Sequence, residues 1–174
     1  MEKISLSLLC IFGLMMPIKV SPNEPNRKNW KTAEDFKASE NEVTRKASWA
    51  LENPQSDTWS DSLQYILEWG NGVPYLTFEI YGPYSLKIAE DAKKYRLMGR
   101  ISSMLLVGCV KYGIENKSNF SKKEMTRASL MFASEYYKNI LVGHEDSRLK
   151  IMEAILGEIK KDGLKSYIDK HVSD

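Results

Sequence analysis

The sequence predicts an all-α protein: a single domain built as a helical bundle or a short stack of antiparallel helix pairs, with five or six helices. Three observations carry this. Apolar residues recur at helical spacing in one segment after another. Glycines, an Asn-Pro pair and capping residues separate those segments at short intervals. Only one run among the 174 residues alternates as a strand does. A chain with 43% hydrophobic and 28% charged residues has the composition of one globular core.

The first twenty residues stand apart from that domain. "MEKISLSLLCIFGLMMPIKV" carries charges at Glu2 and Lys3 and then an uncharged, mostly apolar run from Ile4 to Ile18. A bilayer-spanning helix takes about 20 apolar residues, and Pro17 and Lys19 end this run sooner, so residues 1–20 read as a cleaved signal peptide. Ile18 and Val20 are poor residues for the cut before Ser21, which leaves an uncleaved anchor as the alternative. Leu9 before Cys10 disfavours lipidation. The segment "SPNEPNRKN", residues 21–29, is polar with two prolines and reads as a flexible leader. The helical domain then spans residues 30–174.

The first helix takes its rhythm from Trp30, Ala33, Phe36, Ala38, Val43, Ala47, Ala50 and Leu51, and Asn53-Pro54 ends it. Ser56 or Asp57 caps a second helix whose Trp59, Leu63, Ile66 and Leu67 form a buried stripe, closed by Gly70 or Gly72. In "VPYLTFEIYG" Leu76, Phe78 and Ile80 alternate with Thr77 and Glu79, between Pro74 and Gly82-Pro83. This predicts a short edge strand or an extended connector near residues 75–81.

Beyond Pro83, Leu86, Ala89 and Ala92 start a helical pattern that runs into "ISSMLLVGCV", a central helix buried on most of its circumference. Gly99 and Gly108 allow a kink or a close neighbour there, and Gly113 and Asn116 mark the end. "SKKE" at Ser121 to Glu124 is a capping box. The helix it starts carries Met125, Ala128, Phe132, Tyr136 and Ile140 and stops at Gly143. Asp146 or Ser147 opens another, with Leu149, Met152, Ile155, Leu156 and Ile159, and Gly163 separates it from an amphipathic tail of Leu164, Tyr167 and Ile168.

Charge and cysteine content exclude several functions. Without Lys3, Lys19 and Glu2 the mature chain keeps 23 basic and 22 acidic residues, which points to no nucleic acid and no anionic membrane as partner. Lys93-Lys94-Tyr95-Arg96 and Lys122-Lys123 sit beside acidic residues and read as solvated helix faces. Cys109 would be the only cysteine left, so no disulfide within the chain is expected. Its apolar neighbours Leu105, Val107 and Val110 make it a small buried hydrophobe rather than a nucleophile.

His144-Glu145-Asp146 has neither the spacing of a helical ligand pair nor that of a known metal loop. It reads as a polar turn, and no metal or cofactor is expected. There is no G-x-S-x-G elbow, phosphate-binding glycine loop or paired-cysteine motif. "ENKSNFS" holds two sequons, at Asn116 and Asn119, meaningful only in a eukaryotic secretory pathway.

Trp49, Trp59 and Trp69 lie ten residues apart. Ten helical residues turn about 1000°, some 80° short of three full turns, and Asn53-Pro54 intervenes, so the three indoles form no single row. Trp59 falls on the core stripe and Trp49 packs across the Pro54 corner, giving a helix-turn-helix stapled by indoles. Trp69 falls on the flank of its helix. With Tyr75, Glu68 and Glu79 it is the candidate binding residue. Glu52, Asp57, Asp61, Glu68 and Glu79 also leave a carboxylate hydrolase formally open, since such enzymes need two carboxyl groups about 5 to 10 Å apart.

"ASWALENP", the helix ending in "EW", the "VPYLTFEI" run and "VGCVKYGIENK", behind an export signal, together resemble a loose group of small secreted proteins from Bacteroidota, over roughly residues 47 to 168. That resemblance implies a helical fold and periplasmic or outer-surface placement. The group has no assigned activity, so no catalytic residue is carried over. The expectation is an exported, non-enzymatic helical domain that binds a protein or cell-envelope partner. The alternative is a glycan hydrolase or a carbohydrate-binding module built on the tryptophan-rich region.

Overall fold

The computed structural model describes residues 30–78, 82–92, 99–117 and 121–172, and all regular structure in them is helical. The helices are α1 (Ala33–Glu52), α2 (Trp59–Gly72), α3 (Gly82–Ala92), α4 (Arg100–Asn116), α5 (Lys122–Leu141), α6 (Lys150–Lys160) and α7 (Leu164–His171). The proposed signal peptide and leader lie outside the described residues.

Among the described residues, seven helices replace the expected five or six. The pattern running from Pro83 to Tyr112 forms two helices, α3 and α4, with Gly99, a poor helix former, at the start of the second. The expected strand is absent from the described residues. Val73 to Phe78 is irregular, and its alternation comes from packing: Leu76 and Phe78 rest on the core while Thr77 is exposed. The Phe78 ring fills the space that a side chain at Gly113 would occupy and lies near Gly70, where Val110 is the closer neighbour, so the segment lies across α2 and α4 as an extended connector.

Helix starts follow local hydrogen bonding. Ser121 Oγ accepts from Glu124 N while Glu124 Oε2 accepts from Ser121 N, each at 3.2 Å, as the capping box predicts. A second box, missed in the sequence, opens α1 with Thr32 and Asp35, because aspartate takes the place of the usual glutamate. Trp30 therefore precedes the helix. Its indole donates to Ser39 Oγ and its ring packs on Phe36 and Tyr65. The second helix starts after Thr58 rather than after Ser56 or Asp57, and Ser56 Oγ instead accepts from Thr58 N in the preceding turn. The sixth starts after Leu149, past Asp146 and Ser147, because the Tyr137 hydroxyl accepts from Leu149 N and Asp91 accepts from Ile151 N.

One hydrophobic cluster draws on all seven helices. α4 is its axis, with every residue from Ser103 to Val110 buried. α5 lies against it most closely at Gly108, where a Cβ would stand 2.9 Å from Ser129 Cα and 3.0 Å from Phe132 Cβ. Cys109 is fully buried there and burial pushes its thiol up to about 12, as expected of a structural residue. At the far end of α5, Gly143 adopts φ 78°, a left-handed conformation that suits glycine at a helix stop.

The end of α1 is held by side chains from three other helices. Trp59 Nε1 donates to Ala50 O at 3.1 Å, Asn139 Nδ2 to Leu51 O at 2.9 Å and Arg100 Nη1 to Pro54 O at 2.6 Å. The Arg100 guanidinium also lies 4.6 Å from the centre of the Trp59 ring. The first two bonds satisfy carbonyls that the α1 terminus leaves without intrahelical partners, and the third holds the turn that follows. The indole-stapled corner predicted at Pro54 is therefore present, and it fixes how α1 and α2 face each other.

Candidate functional site

The α1–α2 face contains most of the residues singled out in the sequence, but it sorts them differently. Trp69 is fully buried. Its Nε1 donates to Phe36 O at 3.1 Å and its ring meets Phe36 edge-on. The indole thus ties α2 to the first turn of α1 and offers no face to a ligand, which corrects its reading as a flanking binding residue. Trp59, 2% exposed, is core as expected.

Glu68 is exposed and accepts from Gln64 Nε2 at 2.7 Å along its own helix. Tyr75 is half-buried and donates to Glu40 Oε1 at 3.0 Å, while Lys117 Nζ contacts Glu40 Oε2 at 3.0 Å. Burial, reinforced by the Glu40 carboxylate, raises the Tyr75 phenol above its ordinary range and keeps it a neutral donor. Tyr75 therefore joins α1, the connector and α4. Glu79 lies outside the described residues.

Trp49 is the indole of the original three that keeps partial exposure. It lines a depression of about 410 Å³ between α1 and the start of α2, together with Arg45, Lys46, Thr58, Asp61 and Ser62. Helical geometry puts residues three and four apart side by side, so Arg45 and Lys46 project beside Trp49 from α1. Across the Pro54 corner, Thr58, Asp61 and Ser62 belong to the first turn of α2. Next to them Lys46 Nζ sits 5.0 Å from the centre of the Tyr65 ring, and the Tyr65 hydroxyl donates to Glu42 Oε2 at 2.9 Å. Burial and then the Glu42 carboxylate push the Tyr65 phenol up to about 12.

Arg45 and Lys46 were not singled out in the sequence. Their signal was local and readable: two cations one helical turn before an indole. Their convergence with Thr58, Asp61 and Ser62 was not, because it depends on the angle at the corner.

The carboxylates considered for hydrolysis do not form an enclosed pair. Glu52, Asp57, Asp61 and Glu68 are all exposed, without the apolar surroundings that hold a general acid protonated. His144, Glu145 and Asp146 form an exposed turn, and bonding from Glu145's own backbone N–H and then from Gly143 N lowers the Glu145 carboxyl. Among the described residues no three His, Cys, Asp or Glu side chains are grouped as metal ligands, and no helix is long and apolar enough to cross a membrane. Asn116 is exposed at the end of α4 and its side chain donates to Tyr112 O, while Asn119 lies outside the described residues. Comparison with family models, with curated proteins and with solved structures finds no match to this chain.

Proposed function

We propose that the chain is an exported, non-enzymatic helical domain, akin to the small secreted Bacteroidota proteins it resembles, that binds a protein or cell-envelope partner through the α1–α2 face. The observation that carries this reading is the depression where Trp49 lies with Arg45 and Lys46 on one wall and Asp61 on the other. Tryptophan and arginine are the residue types that most often dominate binding energy when a partner excludes water from them. The corner beneath is fixed, since carbonyls at the end of α1 are hydrogen-bonded to α2 and α5 and one in the following turn to α4. Rigid support lowers the ordering cost of binding. A hydrolase is less well supported, because the carboxylates near the depression lack an enclosed partner.

The test is capture from envelope extracts of the source organism with the purified mature chain, compared with Arg45→Glu and with a control substitution at exposed Lys138. The expected result is a specific component retained by the wild type and the control and lost by Arg45→Glu, with all three showing the same helical circular dichroism. Equal retention by Arg45→Glu, or no retained component, would overturn the assignment of this face.

A further inference from the structure

We propose that the α1–α2 depression binds a sugar residue carrying a carboxylate, a hexuronic acid at the end of or within an envelope glycan. This rests on the partner-binding reading above and names the chemistry of the partner.

The lining groups set the requirements. About 410 Å³ is within the size range of small-ligand sites. Its walls offer two cations, Arg45 and Lys46, one half-buried indole, Trp49, one carboxylate, Asp61, and the hydroxyls of Thr58 and Ser62. Among the described residues the side chains of Arg45, Asp61 and Ser62 make no hydrogen bond or ion pair, and Arg45 and Asp61 do not pair with each other across the depression. Ser62 is 7% exposed and lines this wall with Thr58 and Asp61.

Each simpler ligand leaves some of these groups unmatched. An apolar ligand would bury two cations and a carboxylate unpaired, at a large desolvation cost. A phosphate or sulfate would suit the cations, but it would face the Asp61 carboxylate and have no use for the indole. A neutral sugar would use Trp49, Asp61 and the hydroxyls and leave Arg45 uncompensated. A uronic acid satisfies them all: its carboxylate meets the Arg45 fork and the Lys46 ammonium, its hydroxyls donate to Asp61 and bond Ser62, and a C–H face of its ring rests on Trp49.

The experiment is titration calorimetry of the purified mature chain with trigalacturonate and triglucuronate, against a neutral glucose trimer of the same length, at physiological ionic strength. Wild type is expected to bind at least one acidic trimer about tenfold or more tightly than the neutral one. Arg45→Gln, at an exposed position, is expected to abolish that preference, and Asp61→Asn to weaken acidic and neutral trimers alike. Equal affinity for acidic and neutral trimers, an Arg45→Gln variant that keeps the preference, or no binding of any trimer at millimolar concentration would overturn the proposal. If no trimer binds while a protease-sensitive component is still captured in an Arg45-dependent way, the ligand class is wrong and the partner-binding reading survives. Failure of both experiments removes both.

Discussion

The α1–α2 corner and the α4–α5 interface are both tightly fixed, by opposite means. At α4–α5 the absence of a side chain at Gly108 brings two helices together, and Cys109 is sealed beside it. At α1–α2, indole, amide and guanidinium donors reach backbone carbonyls, and polar side chains remain at the rim. A contact made by close approach uses up its surface on the neighbouring helix. A contact made by directed hydrogen bonds leaves room and unpaired chemistry beside it. The first region buries its whole contact, and the second leaves polar side chains at its rim exposed.

The largest contrast is chemical. In a chain carrying Cys10→Ala, Cys109 is expected to react with a thiol reagent at pH 8 more slowly than in the unfolded chain by on the order of a thousandfold, since labelling must await opening of the core. Stopped-flow or hand-mixed labelling with and without denaturant measures this, and a native rate near the unfolded one would show that the α4–α5 interface is not sealed. Next in size, Trp69→Ala is expected to cost about 3 to 5 kcal/mol in urea unfolding, as removal of a fully buried tryptophan does. A loss under about 1 kcal/mol would mean that Trp69 is not the tie between α1 and α2.

Gly108→Val should cost about 1 to 3 kcal/mol, because the new atoms meet the Ser129 backbone, which cannot rotate away. The same substitution at Gly157, where an added Cβ meets nothing within 4 Å, should cost less, and the difference isolates close approach from helix propensity. The smallest energetic effects are at the caps. Thr32→Ala and Ser121→Ala are each expected to lose about 1 kcal/mol.

The α1 box adds a pH dependence. Backbone bonds from Lys31 and Thr32 lower the Asp35 carboxyl below its ordinary value of 3.8. A group with a depressed folded pKa contributes stability that is present above the unfolded value and is lost as pH falls through the folded one. The stability difference between wild type and Asp35→Asn should therefore shrink as pH falls below about 4, and a difference independent of pH would remove the carboxylate from the cap.

The helical fold, the Ser121 box, the core placement of Trp59 and the buried Cys109 were legible in the sequence because each depends on neighbours within about one turn. Trp69 was misread for a definite reason. Judged by the stripe of its own helix it lies on a flank, but α1 covers that flank and Phe36 O, 33 residues away, accepts its indole proton. The division of α3 from α4 was hidden because apolar residues at helical spacing occur on both sides of residues 93–98, which lie outside the described residues. Of the candidate site, Trp49 and Asp61 were noticed for other reasons, and their meeting with Arg45 required the angle at Pro54.

The Arg100–Pro54 and Asn139–Leu51 hydrogen bonds span 46 and 88 residues of chain. They form only when α4 and α5 have arrived, after large loops have closed at an entropic cost. The corner that shapes the depression therefore has its full set of bonds only in a chain that extends past Asn139. A chain ending before that point would carry Arg45, Lys46 and Trp49 without the Asn139–Leu51 bond that helps hold the corner beside them.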